Sequence, residues 1–323
     1  MILHVSSFVK SVLKHSEKTK TYDSMTKYPK LSDSVVTGTL LLFTIWLQWC
    51  RNTSIYVHGA DFSSCGDCFC IKDDYNGGNC PTIVPRTNFS DLIPILRALK
   101  WSNPVNLLCD PYVQENCTTV PIPLEEGGAC VIDLKESKDQ NTTCPTGWSY
   151  SLRTFPGTFN EAVLAGERVT HSGSCGTCSS LRDLAAYMWH GANLLEESMK
   201  CGFAGKMNRR LGFECFKELG FTDGCAAIWN YNANNTGVHC LFPCAPYTAL
   251  HLPTNGPPPL CKLADCLACD EEQSGPVFAR FAGRTRRRSG LLSSIARPCS
   301  AIVALDQISP CRSPHSEIEL KYS

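Results

Sequence analysis

One segment of the sequence brings together side chains that could exchange protons near neutral pH. Asp183, Tyr187 and His190 are spaced by four and three residues, so a helix would place all three on one face. His171 precedes that predicted helix. A histidine beside a carboxylate and a phenol can act as a general acid and base. We therefore predict these four as the catalytic set, with the alternative that Asp183 only caps the helix and the face is structural.

Two cysteines stand directly before the same helix, Cys175 and Cys178 in the run GSCGTC. A thiolate at a helix N-terminus is stabilised by the helix dipole, so Cys178 would be a nucleophile if its thiol were free. The favoured interpretation is a pair of structural half-cystines, each bonded to a neighbouring helix. A redox C-x-x-C pair is a further alternative.

The run GSCGTC resembles the active-site segment of papain-like cysteine proteases, over a short stretch only. That resemblance implies Cys178 as the nucleophile and Cys175 as a disulfide partner. The sequence departs from the family at Ser179, where the family has an aromatic residue, and at Ser172, where it has a glutamine that supplies an oxyanion donor. The nearest counterpart of the family's later histidine is His239.

A second candidate site is the arginine-rich run RFAGRTRRRS. Arg284, Arg286 and Arg287 could hold a carboxylate, a phosphate or a sulfated glycan through paired N–H donors. The run also fits the R-x-R-R pattern that furin-like processing proteases cut. Apolar residues interleave with the arginines, so the favoured interpretation is a packed face with ion pairs to Glu271 and Glu272.

No cofactor and no metal site is predicted. The C-x4-C-x2-C spacing from Cys261 to Cys269 is that of plant-type ferredoxins. Cys65, Cys68 and Cys70 could begin a zinc site, but no nearby histidine completes a tetrahedral set. Disulfide bonds are the favoured interpretation of both clusters.

Composition predicts the compartment. Twenty-one cysteines in 323 residues indicate an oxidising environment. Lysine plus arginine equals aspartate plus glutamate at 30 each, so no net charge favours a nucleic-acid partner. Glycosylation in the secretory pathway is expected at the Asn-x-Ser/Thr sequons, which are Asn52, Asn88, Asn116, Asn141 and Asn234.

The segment 35–49 carries no charge and follows a lysine-rich leader, residues 1–34. This pattern is typical of a signal peptide or a signal anchor with a cytosolic N-terminus. The segment is shorter than the ~20 residues that span a bilayer comfortably. We expect either a single-pass type II membrane protein held through residues 35–49, or a secreted protein if the segment is removed.

The predicted fold class is α+β and disulfide-stapled, with loops and short strands in the N-terminal part and mainly helices in the second half. The first part contains a strand at ACVIDL and one helix from Asp91 to Trp101. The second contains helices capped by Thr158 and Ser180, and a further helix that starts near Thr222. The predicted regions after the apolar segment are a Cys-rich loop and strand region (61–147), a helical Cys-rich region (148–251), a Pro-rich hinge (252–260), a Cys/Arg-rich region around a basic helix packed on the body (261–312) and a frayed tail (313–323).

Helix boundaries in the second half follow from periodicity. Apolar residues recur every three or four positions from Leu181 to Met199, which predicts one helix ended by Gly202. The next helix is predicted over residues 206–219, closing at Gly220. An earlier one is predicted over the run EAVLAGERV.

Three longer motifs carry a wider resemblance. They are C-G-x-C-S-S-L-x-D-L-A-x-Y, C-F-x-E-L-G-F-T-x-x-C-A-x-I-W and S-G-P-x-F-x-x-F-x-G-R-T-R-R-x-S-G-L. Together they resemble uncharacterised cysteine-rich predicted secreted proteins of eukaryotes, from about Cys65 to Cys299. This resemblance implies no activity.

Two hypotheses of function follow from these residues. The first is a lumenal or extracellular glycoprotein enzyme that uses histidine, aspartate and tyrosine on a small, anionic substrate. The alternative is a non-catalytic ectodomain that binds a glycan, a small ligand or a protein. The sequence does not indicate an oligomeric state.

Overall fold

A computed structural model of the chain describes residues 89–123, 127–135, 148–257, 260–291, 293–297, 301–303, 305 and 307. All of them belong to one compact unit, Asp61–Ser323. Within these ranges no helix is long and apolar enough to cross a membrane. Several predictions fall outside the described residues: the leader, the apolar segment, the frayed tail, the cluster at Cys65, and the sequons at Asn52, Asn88 and Asn141.

A four-stranded sheet lies in the N-terminal part. The strands are β1 (Lys100–Trp101), β2 (Ala129–Lys135), β3 (Ser149–Phe155) and β4 (Val169–Ser172), in the spatial order β1-β3-β2-β4. β2 pairs antiparallel with β3 and β4, and β1 pairs parallel with β3. The strand predicted at ACVIDL is confirmed as the centre of this sheet.

β3 and β4 lie in the region that was predicted to be helical, and that prediction is wrong for both. β3 buries Tyr150 and Leu152 on one face while their neighbours are more exposed. This alternation has the period of two that is typical of a half-buried strand. β4 has four residues, which is too short to show a period.

Nine helices lie in the described residues, four of them between the end of β4 and residue 239 of the chain. They are α1 (Leu92–Ala98), α2 (Phe159–Leu164), α3 (Leu181–His190), α4 (Leu194–Met207), α5 (Arg209–Glu218), α6 (Asp223–His239), α7 (Leu241–Ala249), α8 (Asp265–Gln273) and α9 (Gly275–Ala282). Short 3-10 turns follow α3 at Gly191–Asn193 and α9 at Arg287–Ser289. The predicted α+β class is confirmed, with 49% of the structure helical.

Three of the predicted helix starts are confirmed. Thr158 and Glu161 form a reciprocal capping box at α2. Ser180 caps α3, and its Oγ accepts a hydrogen bond from the Asp183 amide at 2.9 Å. The side chains of Thr158 and Ser180 thus satisfy amides that the first turn of a helix leaves without partners. Thr222 precedes α6, but its side chain makes no cap hydrogen bond.

Several predicted helix ends are wrong. The helix predicted from Leu181 to Gly202 breaks at Gly191, which has a φ of 48°, and α4 continues past Gly202 to Met207. A Cβ on Gly202 would lie 3.0 Å from the Ala233 side chain, so this glycine serves close packing against α6 and does not end a helix. α2 stops before Gly166, which has a φ of 73°.

Two other boundaries also differ from the prediction. α1 ends at Ala98 rather than at Trp101, because Lys100 and Trp101 pair with β3. α5 begins at Arg209, where the Asn208 side chain accepts a hydrogen bond from the amide of Arg210. Its predicted close at Gly220 is confirmed by a φ of 95° there.

The main core lies between the sheet and helices α1, α3 and α6. An aromatic cluster forms part of it, with Trp229 stacked on Phe216 and Phe221 at centroid distances of 5.8 and 6.0 Å. Phe278 of α9 meets Trp229 edge-on at 4.7 Å. Buried aromatic pairs in such geometries add stability beyond their buried area, so this cluster fixes α6 against its neighbours.

Six disulfides link the described elements, in agreement with a disulfide-stapled protein from an oxidising compartment. They connect loops, strands and helices that are separated by 8 to 47 residues. The pairs are Cys109–Cys117, Cys130–Cys175, Cys178–Cys225, Cys201–Cys215, Cys240–Cys269 and Cys244–Cys266.

Candidate functional site

A cavity of about 190 Å³ opens where the N-termini of α3 and α6 meet the segment after α1. We name it the helix-end cavity. Its apolar side is formed by Leu99, Trp101, Pro104 and Val105. Its polar side includes Asn106, Ser180, Arg182, Thr222 and Asp223. An apolar wall facing a few polar groups is the usual construction of a small-molecule site.

A buried carboxylate fixes the two helix ends that form the cavity. The Asp183 Oδ1 atom accepts a hydrogen bond from the Thr222 amide at 2.7 Å, and Oδ2 accepts one from the Thr222 hydroxyl at 2.9 Å. Oδ2 also accepts a hydrogen bond from the Ser180 hydroxyl at 2.5 Å. Asp183 therefore holds both cap residues from behind the cavity, and it does not line the cavity itself.

Burial raises the pKa of Asp183 to about 6, although its three donors and the Arg284 charge oppose that shift. The side chain is fully buried, and a low-dielectric environment disfavours the ionised carboxyl. Near neutral pH the carboxylate is still ionised.

The cysteine predicted as a conditional nucleophile joins the same helix ends. Cys178 precedes α3 and is bonded to Cys225 in the first turn of α6, so its thiol is not free. Cys175 is bonded to Cys130 of β2. The structural interpretation of this C-x-x-C pair is confirmed, but one partner lies on a strand where a helix was expected.

The glycine of the GSCGTC run has a packing role. A Cβ on Gly176 would lie 2.5 Å from the Phe281 carbonyl oxygen and 2.7 Å from the Gly283 amide nitrogen. The amides of Thr177 and Cys178 donate to the carbonyls at the end of α9, each at 2.9 Å. The features shared with papain-like proteases therefore serve here to join this loop to α9.

The predicted catalytic histidine His171 is fully buried in β4. Its Nδ1 lies 2.8 Å from the Ser172 carbonyl oxygen, and its Nε2 lies 2.8 Å from the Ser179 hydroxyl. A carbonyl only accepts, so Nδ1 carries the proton and Nε2 accepts from Ser179. Burial, and secondarily the Arg284 charge, lowers the pKa of His171 well below its usual value. The ring is a neutral structural link.

The other two members of the predicted set are also engaged. Tyr187 is 2% exposed, and its hydroxyl accepts a hydrogen bond from the Trp229 indole at 3.2 Å. His190 places Nε2 2.8 Å from the Leu219 carbonyl oxygen and pairs through Nδ1 with Glu197. The helix-end cavity is lined by none of the four residues His171, Asp183, Tyr187 and His190.

Arg284, predicted to bind a ligand, is fully buried instead. Its guanidinium donates to the Thr170 carbonyl at 2.9 Å, the Ser289 hydroxyl at 3.1 Å and the Ser179 carbonyl at 3.1 Å. Burial lowers the pKa of Arg284 to about 10, so the group stays cationic at neutral pH. It joins the segment after α9 to β4 and to the start of α3.

The neighbouring arginines make structural contacts too. Arg286 donates to the Gly191 carbonyl at 3.1 Å, and Arg287 forms an ion pair with Glu271 at 3.8 Å. The ion pair predicted with Glu271 is confirmed. These arginines follow α9 in an irregular segment and a 3-10 turn, so the basic helix predicted for them is wrong.

The described sequons occupy different environments. Asn116 is exposed in the loop between β1 and β2. Asn234 lies inside α6, where its side-chain amide donates to the Asn230 carbonyl at 2.9 Å.

The cysteines with ferredoxin-like spacing form disulfides, because Cys266 is bonded to Cys244 and Cys269 is bonded to Cys240. In the described part of the chain no cluster of side chains could hold a metal ion.

Sequence reasoning missed the residues that line the cavity, including Trp101, Asn106 and Arg182. Trp101 and Arg182 are 81 positions apart in the chain, so only long-range packing brings them together. One signal was available. Ser180 and Thr222 both lie at predicted helix starts, and each has a cysteine within three residues, so the sequence allowed a disulfide between the two helix starts.

Residues 209–305 of the chain match a family of unknown function, DUF8771. The matched segment begins at α5 and runs past Arg284, so it includes one side of the cavity and the arginine-rich run. Neither the curated proteins nor the solved structures contain a match.

Proposed function

We propose that this protein is a non-catalytic binding domain of the secretory pathway, and that the helix-end cavity holds a small polar ligand. The observation that carries the proposal is the separation of the two polar regions. Of the predicted acid–base residues, His171, Asp183 and Tyr187 are buried and hydrogen-bonded within the protein, and His190 is bonded to Leu219 and Glu197. The cavity, by contrast, presents polar groups to solvent.

Two polar side chains of the cavity are available to a ligand. Asn106 and Arg182 are exposed. Arg182 uses only its Nε, which donates to the Gly220 carbonyl at 3.2 Å. Within the described residues its terminal nitrogens and the side-chain amide of Asn106 have no hydrogen-bond partner. An unpaired donor at the edge of an apolar wall provides orientation to a bound molecule.

The volume sets the size of the ligand. The ~300–1,000 Å³ typical of drug-sized sites is larger than this cavity. At ~30 Å³ for each water molecule, about 190 Å³ holds the equivalent of roughly six waters. A single ring with its substituents fits such a volume.

The location of the protein is part of the proposal. The disulfides support an oxidising compartment, and the segment 35–49 with its lysine-rich leader supports delivery by a signal peptide or an anchor. The exposed Asn116 supports glycosylation on the surface of the folded domain, with Asn234 the weaker acceptor because its amide lies inside a helix.

The test uses saturation-transfer NMR to measure whether the full chain binds any member of a panel of monosaccharides, amino acids and short carboxylates. We expect at least one class to bind, and Trp101→Leu to abolish that signal while the melting temperature is retained. Trp189→Leu is the matched control, because Trp189 is an exposed tryptophan of α3 at 65% outside the cavity. Binding that survives Trp101→Leu and Asn106→Ala would refute the site.

A further inference from the structure

We propose that the helix-end cavity recognises an anionic pyranose, a sugar ring that carries a carboxylate or a sulfate, with Arg182 as its anion-binding residue. This inference rests on the proposed binding function and specifies its ligand class.

Arg182 supplies the charge. Its side chain is exposed and lines the cavity. The bond from Nε to the Gly220 carbonyl fixes the guanidinium plane, and among described residues both terminal nitrogens lack a partner. A guanidinium held by one donor presents its other N–H groups as a fork, which matches the paired oxygens of a carboxylate or a sulfate.

A second guanidinium lies near that of Arg182, outside the lining of the cavity. A terminal nitrogen of Arg97 would be 3.9 Å from a Cβ placed on Gly220, so Arg97 and Arg182 approach the same residue from α1 and α3. The Arg97 guanidinium lies over the Trp189 ring at 5.5 Å from its centroid. Two neighbouring cations increase the local positive potential around Arg182 and favour an anion over a neutral ligand.

The single acid of the described lining does not reverse this balance. Asp223 lies 3.0 Å from the Lys217 ammonium, and that contact offsets its charge. Arg182 is therefore the charged side chain of the described lining whose charge no ion pair within the described residues offsets.

The opposite wall suits a sugar ring. Trp101 already satisfies its indole N–H by donating to Asn103 Oδ1 at 2.9 Å, so the ring contributes apolar surface. Sugar rings have apolar C–H faces that pack on indole, while hydroxyls at their edges need partners such as the Asn106 amide. An aromatic wall, an amide and a guanidinium match the three parts of an anionic pyranose.

The experiment compares glucuronate, glucose 6-sulfate and glucose as ligands of the full chain by NMR titration. We expect at least one anion to bind tenfold or more tightly than glucose, and the tighter of the two identifies the preferred anion. Arg182→Gln should reduce anion binding at least tenfold and leave glucose binding unchanged. Arg210→Gln is the control, because Arg210 is an exposed arginine of α5 away from the cavity.

The outcomes separate this inference from the proposed function. If glucose binds as tightly as both anions in a Trp101-dependent way, the ligand class is wrong and the binding function stands. The same holds if only amino acids or short carboxylates bind there. If Arg182→Gln and Arg210→Gln weaken anion binding equally, the assignment of Arg182 is wrong. If no small molecule binds, both proposals fail.

Discussion

Two polar regions adjoin the start of α3, and they differ in burial rather than in residue type. The interior region contains His171, Asp183 and Arg284, all fully buried. The helix-end cavity contains Arg182 and Asn106, both exposed. Each region has groups that could bind a ligand or catalyse a reaction. In the interior region, donors and acceptors that are already hydrogen-bonded to the protein are not available to a ligand.

This difference shows how chemistry-bearing residues can serve as structure. Arg284 and Asp183 carry opposite charges in the interior, where an uncompensated charge would be costly. Their hydrogen bonds hold β4, α3, α6 and the segment after α9 together. The neighbouring Arg182, two residues from Ser180, keeps its charge in solvent and remains available.

The largest effect is expected from removing the buried cation. Arg284→Ala would leave the Ser179 carbonyl without its guanidinium donor, the Thr170 carbonyl with Gln307 as its remaining side-chain donor, and Asp183 without its nearby positive charge. We expect a loss of about 3–5 kcal/mol in the free energy of unfolding, measured by urea denaturation. A loss below about 1 kcal/mol would mean that the interior region is not structural.

The disulfide between the two helix ends should matter more than a short-range one. Replacing both Cys178 and Cys225 with serine opens a loop of 47 residues, whereas replacing Cys109 and Cys117 opens one of 8. Loop-closure entropy gives losses of about 4 and about 2.5 kcal/mol respectively. Equal melting temperatures for the two double variants would contradict the prediction that loss of Cys178–Cys225 destabilises the protein more than loss of Cys109–Cys117.

The two buried titratable groups should respond to acid in opposite directions. The pKa of His171 is lowered by burial, so its contribution to stability is complete above pH 6.5 and is lost as the pH falls below it. Burial raises the pKa of Asp183 from 3.8 to about 6. Its ionised form is therefore unfavourable above about pH 6, and stability is gained as the pH falls from there towards 3.8.

Substitutions separate these two contributions. In His171→Gln, the contribution of Asp183 remains. The free energy of unfolding of this variant should therefore rise as the pH falls from 6 to 4, to a value up to roughly 3 kcal/mol above that of the same variant at pH 7.5. In Asp183→Asn, it should fall more steeply below pH 6.5 than in the parent protein. Chemical denaturation across this range measures both, and identical pH profiles for the two variants would show that neither group titrates as described.

The smallest effect on stability is expected at the cavity. Arg182→Gln removes an exposed side chain with one hydrogen bond to a carbonyl, so the free energy of unfolding should change by no more than about 0.5 kcal/mol. The same variant should lose anion binding. A large destabilisation would place Arg182 with the structural arginines and remove the contrast between the two regions.

The sequence predicted what depends on a few neighbouring residues. The caps at Thr158 and Ser180 follow from hydroxyls and carboxylates three positions apart, and the strand at ACVIDL follows from its β-branched residues. Arg284 is buried against the carbonyls of Thr170 and Ser179, which are 114 and 105 positions away in the chain, and His171 follows Thr170 in β4. No local pattern distinguishes a histidine that accepts from a buried serine from one that faces a substrate.

Disulfide partners were beyond sequence reasoning for the same reason. Cys175 and Cys178 are three residues apart, yet one is bonded to β2 and the other to α6. The arginine run illustrates the opposite case, because Glu271 lies close in the chain to Arg287 and the ion pair could be predicted. Separation along the chain therefore decided which parts of the site were predictable.

The bond between Cys178 and Cys225 also determines when the cavity can form during synthesis. Its two sides come from helices whose first residues are about 40 positions apart, so the first side is synthesised before the second. At ~5–20 residues per second, the delay between the two cysteines, which are separated by 47 residues, is roughly 2–10 seconds. The helix-end cavity is therefore completed only after α6 has been synthesised, and a chain that is truncated before α6 would carry Cys178 without its disulfide partner.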